Sequence, residues 1–360
     1  MDFELSEEQE LLRSGLRELL SRECDIRHAR AVAYDGAGRD DALWQSLARA
    51  DWTALTVPEA DGGAGLRFEE LAIVAEEAGR AVLPLPLTTT LLAARAIARA
   101  PTPRGDLLRR IAAGEATVTI ALRDVDRDEA STAQRDGDGW RLVANYSFVP
   151  HGPRADLVLI DAGRGLIVLP TDAPGMSWID LNAIDRTVPQ YGLSLSDVRV
   201  DDDVSLSGNG DARHAIDGLA DEWRAALAAD TLGACQRMLE LSVEYAKERV
   251  QFGRPIGANQ AVKWRIADMG AAVERMRAAV YHAAVKIDAD AEDRPLGVAI
   301  AKAATAAPGA FVGSQAIHVH GGIGYTWEHD LHLYFKRVKS NELLLGDGYD
   351  SLARIADAVL

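Results

Sequence analysis

The apolar positions of this 360-residue chain change their spacing twice, and that change limits what the chain can fold into. Ser6-Glu-Glu-Gln9 reads as a capping box that opens a helix carrying Leu11, Leu12, Leu16, Leu19 and Leu20. The spacing predicts further helices at 42–50, 67–82, 87–99 and 105–113, broken by Pro58, Gly62-Gly63, Pro84-Leu-Pro86 and Pro101-Thr-Pro103. From Ala116 to about Val204 the pattern becomes short β-rich runs at 116–122, 140–149, 156–160, 165–169 and 196–200. Turns such as Asp136-Gly-Asp-Gly139 and Pro174-Gly separate them. Short strands without intervening helices imply an antiparallel barrel or sandwich and exclude a βαβ unit.

The helical period returns near Asp211, with an apolar stripe of Leu219, Leu227, Leu232, Cys235, Leu239 and Val243. Helices at 259–290, 295–317 and 342–358 follow, and four such helices imply a bundle. The fold class is therefore α+β. We expect an N-terminal helical domain over 1–113, a middle antiparallel β-barrel or sandwich domain over 114–210 and a C-terminal four-helix bundle over 211–360.

A hydrophobic content of 48% supplies a large core. The formal net charge of −16 leaves no broad basic field, which argues against nucleic-acid recognition. Cys24 and Cys235 are the only cysteines, without CxxC or Cys/His spacing, so neither a structural metal nor a disulfide framework is expected, and a reducing, cytoplasmic setting fits. The opening Met1-Asp-Phe-Glu-Leu-Ser-Glu-Glu-Gln is acidic and lacks an apolar leader, so neither export nor membrane insertion is expected.

Two separated blocks carry the functional signal. The first is Arg249-Val-Gln-Phe-Gly-Arg-Pro-Ile-Gly-Ala-Asn-Gln260-Ala-Val-Lys263, and the second is His318-Val-His-Gly-Gly-Ile-Gly-Tyr325-Thr-Trp-Glu-His. Arg249 falls where Phe252-Gly253-Arg-Pro255 interrupts a helix, and its planar fork suits a pyrophosphate. Taken alone, such an Arg reads equally as a cation neutralising the helix dipole. Gly321-Gly322-Ile-Gly324 lets backbone amides approach a ligand, though alone it reads as a tight turn.

Together the blocks resemble the flavin-binding C-terminal half of the acyl-CoA dehydrogenase family, which uses FAD to oxidise acyl thioesters between the α and β carbons. Pro58-Glu-Ala-Asp-Gly-Gly-Ala-Gly65 resembles that family's PExxGGxG loop, a structural landmark. The resemblance implies that Arg249, Gln251, Phe252, Ile256 and Gln260 contact the adenosine diphosphate half of an FAD bound mainly to a neighbouring subunit. It likewise implies cofactor contacts at Gly321, Gly322 and His318, although His318 stands where the family usually has Gln and reads equally as a histidine satisfied inside the fold. FAD and acyl-CoA are anionic, so in so acidic a chain their Arg and Lys partners must be gathered locally.

The chemistry needs a carboxylate to remove the α proton while the β hydrogen leaves as hydride to the flavin. Most of the family places a Glu before a Gly ahead of the last helix; here Asn341-Glu342-Leu-Leu-Leu345-Gly346-Asp-Gly puts Leu345 there. A minority places the Glu on the first long helix of the bundle, immediately before an Arg, and the corresponding pair is Trp223-Arg224. Glu222, one residue and roughly 100° around the helix, and Glu342 are the weak candidates left, and each also reads as a solvated helix-face acid. The catalytic base is unassigned.

The middle domain departs further. Ala121-Leu-Arg-Asp-Val-Asp-Arg-Asp-Glu replaces the family's T-E-P-x-x-G-S-D type loop, and Pro150 stands at a Ser/Thr position beside the flavin ring, near Phe148, an aromatic that also reads as core. A well-kept C-terminal half with an eroded β domain is similar to the smaller subunits of actinobacterial steroid-type acyl-CoA dehydrogenases, which form α2β2 heterotetramers. That likeness implies FAD, an acyl-CoA substrate with a bulky or sterol-derived acyl group, electron-transfer flavoprotein as acceptor and a homologous larger partner chain. A self-sufficient homotetramer with a relocated base and a catalytically inactive acyl-CoA-binding scaffold are the alternatives.

Overall fold

Helix α1 (Glu7–Glu23) starts where its capping box places it: Ser6 Oγ accepts from the Gln9 amide at 3.2 Å and Gln9 Oε1 accepts from the Ser6 amide at 3.1 Å. The computed structural model describes residues 5–35, 39–101, 104–123, 132–137, 139–163, 165–201, 206 and 212–360. Among these, α1 is followed by α2 (Ile26–Tyr34), α3 (Asp41–Arg49), α4 (Phe68–Ala81), α5 (Leu87–Ala98) and α6 (Gly105–Ala112). Strands come next: β1 (Val118–Ala121), β2 (Thr132–Asp136), β3 (Gly139–Pro150), β4 (Leu157–Asp161), β5 (Leu166–Pro170), β6 (Met176–Asp180) and β7 (Gln190–Asp201). The rest is α7 (Ala212–Glu248), a hairpin of β8 (Val250–Gln251) and β9 (Arg254–Pro255), then α8 (Gln260–Asp288), α9 (Arg294–His320), α10 (Leu331–Leu343) and α11 (Gly348–Val359). This is the expected order of an N-terminal helical, a middle β and a C-terminal helical domain.

Two compact units are formed, one from Val32–Arg67 and Pro84–Trp223, the other from Met1–Ala31, Phe68–Leu83 and Arg224–Leu360. In the first, two sheets, β1-β4-β5 and β2-β3-β7-β6, share a core that includes Leu142, Tyr146, Val158, Ile160, Leu193 and Val198. On β3, Leu142, Ala144 and Tyr146 face inward at a period of two while Val143 is exposed, as a half-buried strand requires. One pairing departs from the all-antiparallel expectation: β1 and β4 are parallel, because the chain passes through β2 and β3 of the other sheet before it returns. β6 and β2 are also additions, strands whose polar and charged residues interrupt the apolar runs that mark β4 and β5. The 121–129 loop lies outside the described residues from 124 onward.

The second unit is helical. α4 and α7 cross so closely that a Cβ on Gly79 would lie 1.9 Å from the Asp230 carbonyl oxygen, and one on Gly233 1.7 Å from that of Glu76. Arg337 is buried in this unit, donating to Asp230 at 2.9 Å and to the Leu83 carbonyl at 3.1 Å, while Asn341 donates to the same carboxylate at 2.7 Å. The stretch Arg294–Tyr325 is long and apolar enough to cross a bilayer by length and composition. It is packed as a core helix, in contact with α8, α10 and α11 and with 56% of its most apolar window buried.

The helix expected at 342–358 is corrected. α10 ends at Leu343, Leu345 and Gly346 adopt left-handed φ angles of 57° and 97°, and α11 begins only at Gly348. Asp347 restarts the helix by accepting from the Tyr349 and Asp350 amides, so two successive left-handed residues and a fresh capping box divide what looked like one period.

Candidate functional site

α7 runs out at Glu248, and the chain reverses in a two-residue hairpin whose register pairs Val250 with Pro255 and Gln251 with Arg254. Phe252 and Gly253 both take positive φ, 53° and 76°, as a tight hairpin of this hand demands. Glycine adopts that conformation freely. Phenylalanine does not, and here its ring is 95% exposed. The Arg249 backbone is held by the Tyr245 carbonyl and by the Ile256 amide at 2.8 Å each, so the residue is fixed while its exposed guanidinium has no carboxylate partner among the described residues. A short 3-10 turn at Ile256–Ala258 leads to exposed Gln260, the first residue of α8.

The second block ends α9. Gly321 closes the helix with φ of 66°, and a Cβ placed on Gly321 or Gly322 would meet no atom within 4 Å. Their backbone therefore faces open space, as a cradle for a ligand requires. His318 is exposed, which removes the reading of a buried, satisfied histidine. The buried histidine of this block is His320, whose Nδ1 donates to the Ala316 carbonyl at 2.8 Å and whose pKa is lowered by burial. Tyr245, four residues before Arg249, stacks on His320 with ring centroids 4.5 Å apart, and that contact brings the two blocks together. Tyr245 and His320 were not singled out in the sequence; the signal was their position one helical turn from Arg249 and between His318 and Gly321.

The loop after the glycines is braced. Arg30 donates to the Trp327 carbonyl at 2.7 Å and pairs with Asp330 at 2.8 Å, and the Trp327 ring stacks on His332 with Lys336 above it at 4.8 Å. An exposed Arg without a carboxylate partner among the described residues, two open glycines and an exposed aromatic suit one flank of an anionic dinucleotide.

At the base position the half-buried Leu345 offers only its carbonyl, which accepts from Arg224 Nε at 3.0 Å. Lys302, 2% exposed, donates to the Asn341 carbonyl nearby; burial and the Arg224 charge push its pKa down to about 7, against the pull of Glu342 and Asp347. Neither alternative carboxylate is free. Glu342 accepts from Lys339 at 2.5 Å. Glu222 is 2% exposed and is gripped by Arg95 at 3.1 Å and Arg99 at 2.8 Å. In the β unit, Phe148 lies at a register shift with φ of 58° and is partly exposed, Pro150 pairs with Gln190, and the buried Gln190 Oε1 has no hydrogen-bond partner among the described residues.

Comparison with known proteins agrees with this arrangement. Residues 6–115 match the acyl-CoA dehydrogenase N-terminal domain and residues 213–360 the acyl-CoA dehydrogenase C-terminal domain. The acyl-CoA dehydrogenase IpdE2 of Mycobacterium tuberculosis is 32% identical over 98% of both chains. Among solved structures, the Tcur3481-Tcur3483 steroid ACAD superposes with a TM-score of 0.89 at 34% identity over 98% of both chains. The ChsE4-ChsE5 complex from Mycobacterium tuberculosis does so with 0.91 at 28% identity, over 100% of this chain and 99% of the other. The chain belongs to the acyl-CoA dehydrogenase family of oxidoreductases, flavoproteins whose cofactor is FAD.

Proposed function

We propose that this chain is the flavin-completing subunit of a two-chain acyl-CoA dehydrogenase and that its partner supplies the base. The observation that carries the reading is the hairpin: Phe252 is held in a strained conformation with its ring in solvent beside Arg249, which has no carboxylate partner among the described residues, an arrangement that gains nothing within a lone chain. The missing carboxylate at Leu345, with Glu222 and Glu342 both engaged by cations, agrees with it. So do the similar ChsE4-ChsE5 complex and Tcur3481-Tcur3483 steroid ACAD, each made of two named components, the second of which points to a sterol-derived acyl-CoA.

In this reading Arg249 neutralises the pyrophosphate of an FAD seated mainly on the partner, Gln251 and Gln260 hydrogen-bond its polar edges, and Phe252 and Ile256 pack on its adenosine half. Gly321 and Gly322 admit the ligand to their amides, and His318 donates from the rim. Once bound, FAD supplies the hydride acceptor for the β hydrogen. The α proton would go to a carboxylate of the partner, electron-transfer flavoprotein would be the acceptor, and the complex would work in the cytoplasm, where Cys24 and Cys235 stay reduced thiols.

Co-purification from the native host followed by a flavin-to-polypeptide count tests this. Half a flavin per chain in an assembly with a homologous larger subunit is expected. A full flavin on the chain purified alone, bleached when acyl-CoA is added, refutes it in favour of a self-sufficient homotetramer; no flavin in any combination, with the thioester still bound, leaves the scaffold.

A further inference from the structure

Three segments of the helical unit close on the His320 imidazole. Tyr245, on the last turn of α7, lies against its face with ring centroids 4.5 Å apart and planes 24° from parallel. His329 meets it edge-on at 4.8 Å and 63°, while its own Nδ1 accepts from the Leu331 amide at the start of α10. The glycine turn is wound tightly on the same residue: a Cβ placed on Gly324 would lie 3.1 Å from the His320 Cβ and 3.1 Å from the Ile317 carbonyl oxygen. His320 is 5% exposed, so packing holds the ring as well as the bond from Nδ1 to Ala316.

Each stacked ring is also one step from a ligand-facing group. The Tyr245 carbonyl accepts from the Arg249 amide at 2.8 Å, so the residue that stacks on His320 also fixes the backbone of the exposed Arg249. His320 directly precedes Gly321, whose amide donates back to the Ile317 and His318 carbonyls and whose Cα faces open space. Within each block these bonds are local. They shape the hairpin and the glycine turn separately, whereas the span from one to the other is set by contacts between residues far apart in sequence, and the Tyr245–His320 stack is such a contact.

We infer that Tyr245 and His320 are positioning residues for the cofactor: their stack sets the span between the Arg249 guanidinium and the Gly321-Gly322 amides, which one dinucleotide must bridge. The inference rests on the flavin reading above and deepens it, because both residues act through Arg249 and the glycines. An anchor displaced by about an ångström loses its bond to a ligand that the other anchor still holds. An offset aromatic pair resists that displacement and adds no charge of its own beside an anionic ligand.

The test compares Y245A, H320A, H320F and H320N, each in the flavin-loaded complex and in the full chain by itself. H320F keeps a ring without the nitrogen that bonds Ala316, and H320N keeps a donor without the ring. Y245A, H320A and H320N should each raise the FAD dissociation constant about tenfold, H320F should stay within about twofold, and Y245A/H320A should do no more than either single change. In the flavin-free chain, amide exchange at Arg249 and Ile256 should quicken together with exchange across Gly321–Tyr325 in H320N and not in H320F. An H320N complex that holds FAD like the parent while H320F loses it would assign the effect to the hydrogen bond. Additive single changes would make the two residues independent, and exchange quickened evenly over α7, α8 and α9 would leave the ring a core residue only. Any of these three results overturns the inference. Absence of flavin from every combination, the parent included, defeats the proposed function instead, and the exchange measurement then still decides whether the stack holds the two blocks together.

Discussion

Glu222→Gln separates a base from a structural anion. The carboxylate is 2% exposed and accepts from two guanidiniums, Arg95 at 11% exposure and Arg99 at 54%. The Arg99 contact is half in solvent and contributes roughly 0–1 kcal/mol. Arg95 is nearly buried, and the amide keeps one acceptor for it while surrendering the charge, so a charge-assisted bond of about 1.5–3 kcal/mol falls to about 1 kcal/mol. The sum is a destabilisation of about 0.5–3 kcal/mol, short of the full cost of orphaning a buried ion because Gln still accepts a hydrogen bond. Urea unfolding of the chain measures this, and turnover of the assembled complex on acyl-CoA measures the other half of the expectation, an unchanged kcat. A loss of about 100-fold or more in kcat with the unfolding curve unmoved would show that Glu222 removes the proton and that the ion pairs are incidental.

Phe252→Asn should raise the stability of the lone chain by about 0.5–1 kcal/mol, since Asn-Gly suits two successive left-handed residues and the ring has no contacts to lose; flavin retention by the assembled complex should fall. Equal stability, or undiminished retention, would remove the hairpin from the cofactor's surroundings. Lys302→Met tests the buried amine. Its pKa in the folded chain is pushed down to about 7, below the ordinary 10.5, so between those values the unfolded chain binds the extra proton. The penalty of charging the buried amine is fully present below pH 7 and is relieved as the pH climbs toward 10. The gap in unfolding free energy between K302M and the parent should therefore narrow in favour of the parent from pH 7 to pH 9.5, and a constant gap would contradict the burial argument.

Much of the architecture was legible because it is written at short range. The capping box at Ser6 and Gln9, and the helices of 41–49, 68–81, 87–98 and 105–112, follow from contacts three and four residues apart. Both glycine-bearing blocks were legible as motifs for the same reason, since a hairpin with two positive φ angles needs its Gly next to the turn. The break at Leu345 was missed because its left-handed backbone is imposed on a residue that carries no local signal for it, held by a bond from Arg224, 121 positions away.

The same division of range separates the two kinds of knowledge about this protein. Residue order alone determined the sequence of helical, β and helical domains, the family and the absence of a carboxylate at Leu345, because periodicity and motif spacing are properties of neighbours along the chain. Only the tertiary structure decided that Glu222 is locked between Arg95 and Arg99, that Tyr245 meets His320 and that β1 runs parallel to β4. Such contacts form when distant segments share one core, and their partners are chosen by packing and charge in three dimensions, which no spacing along the chain records.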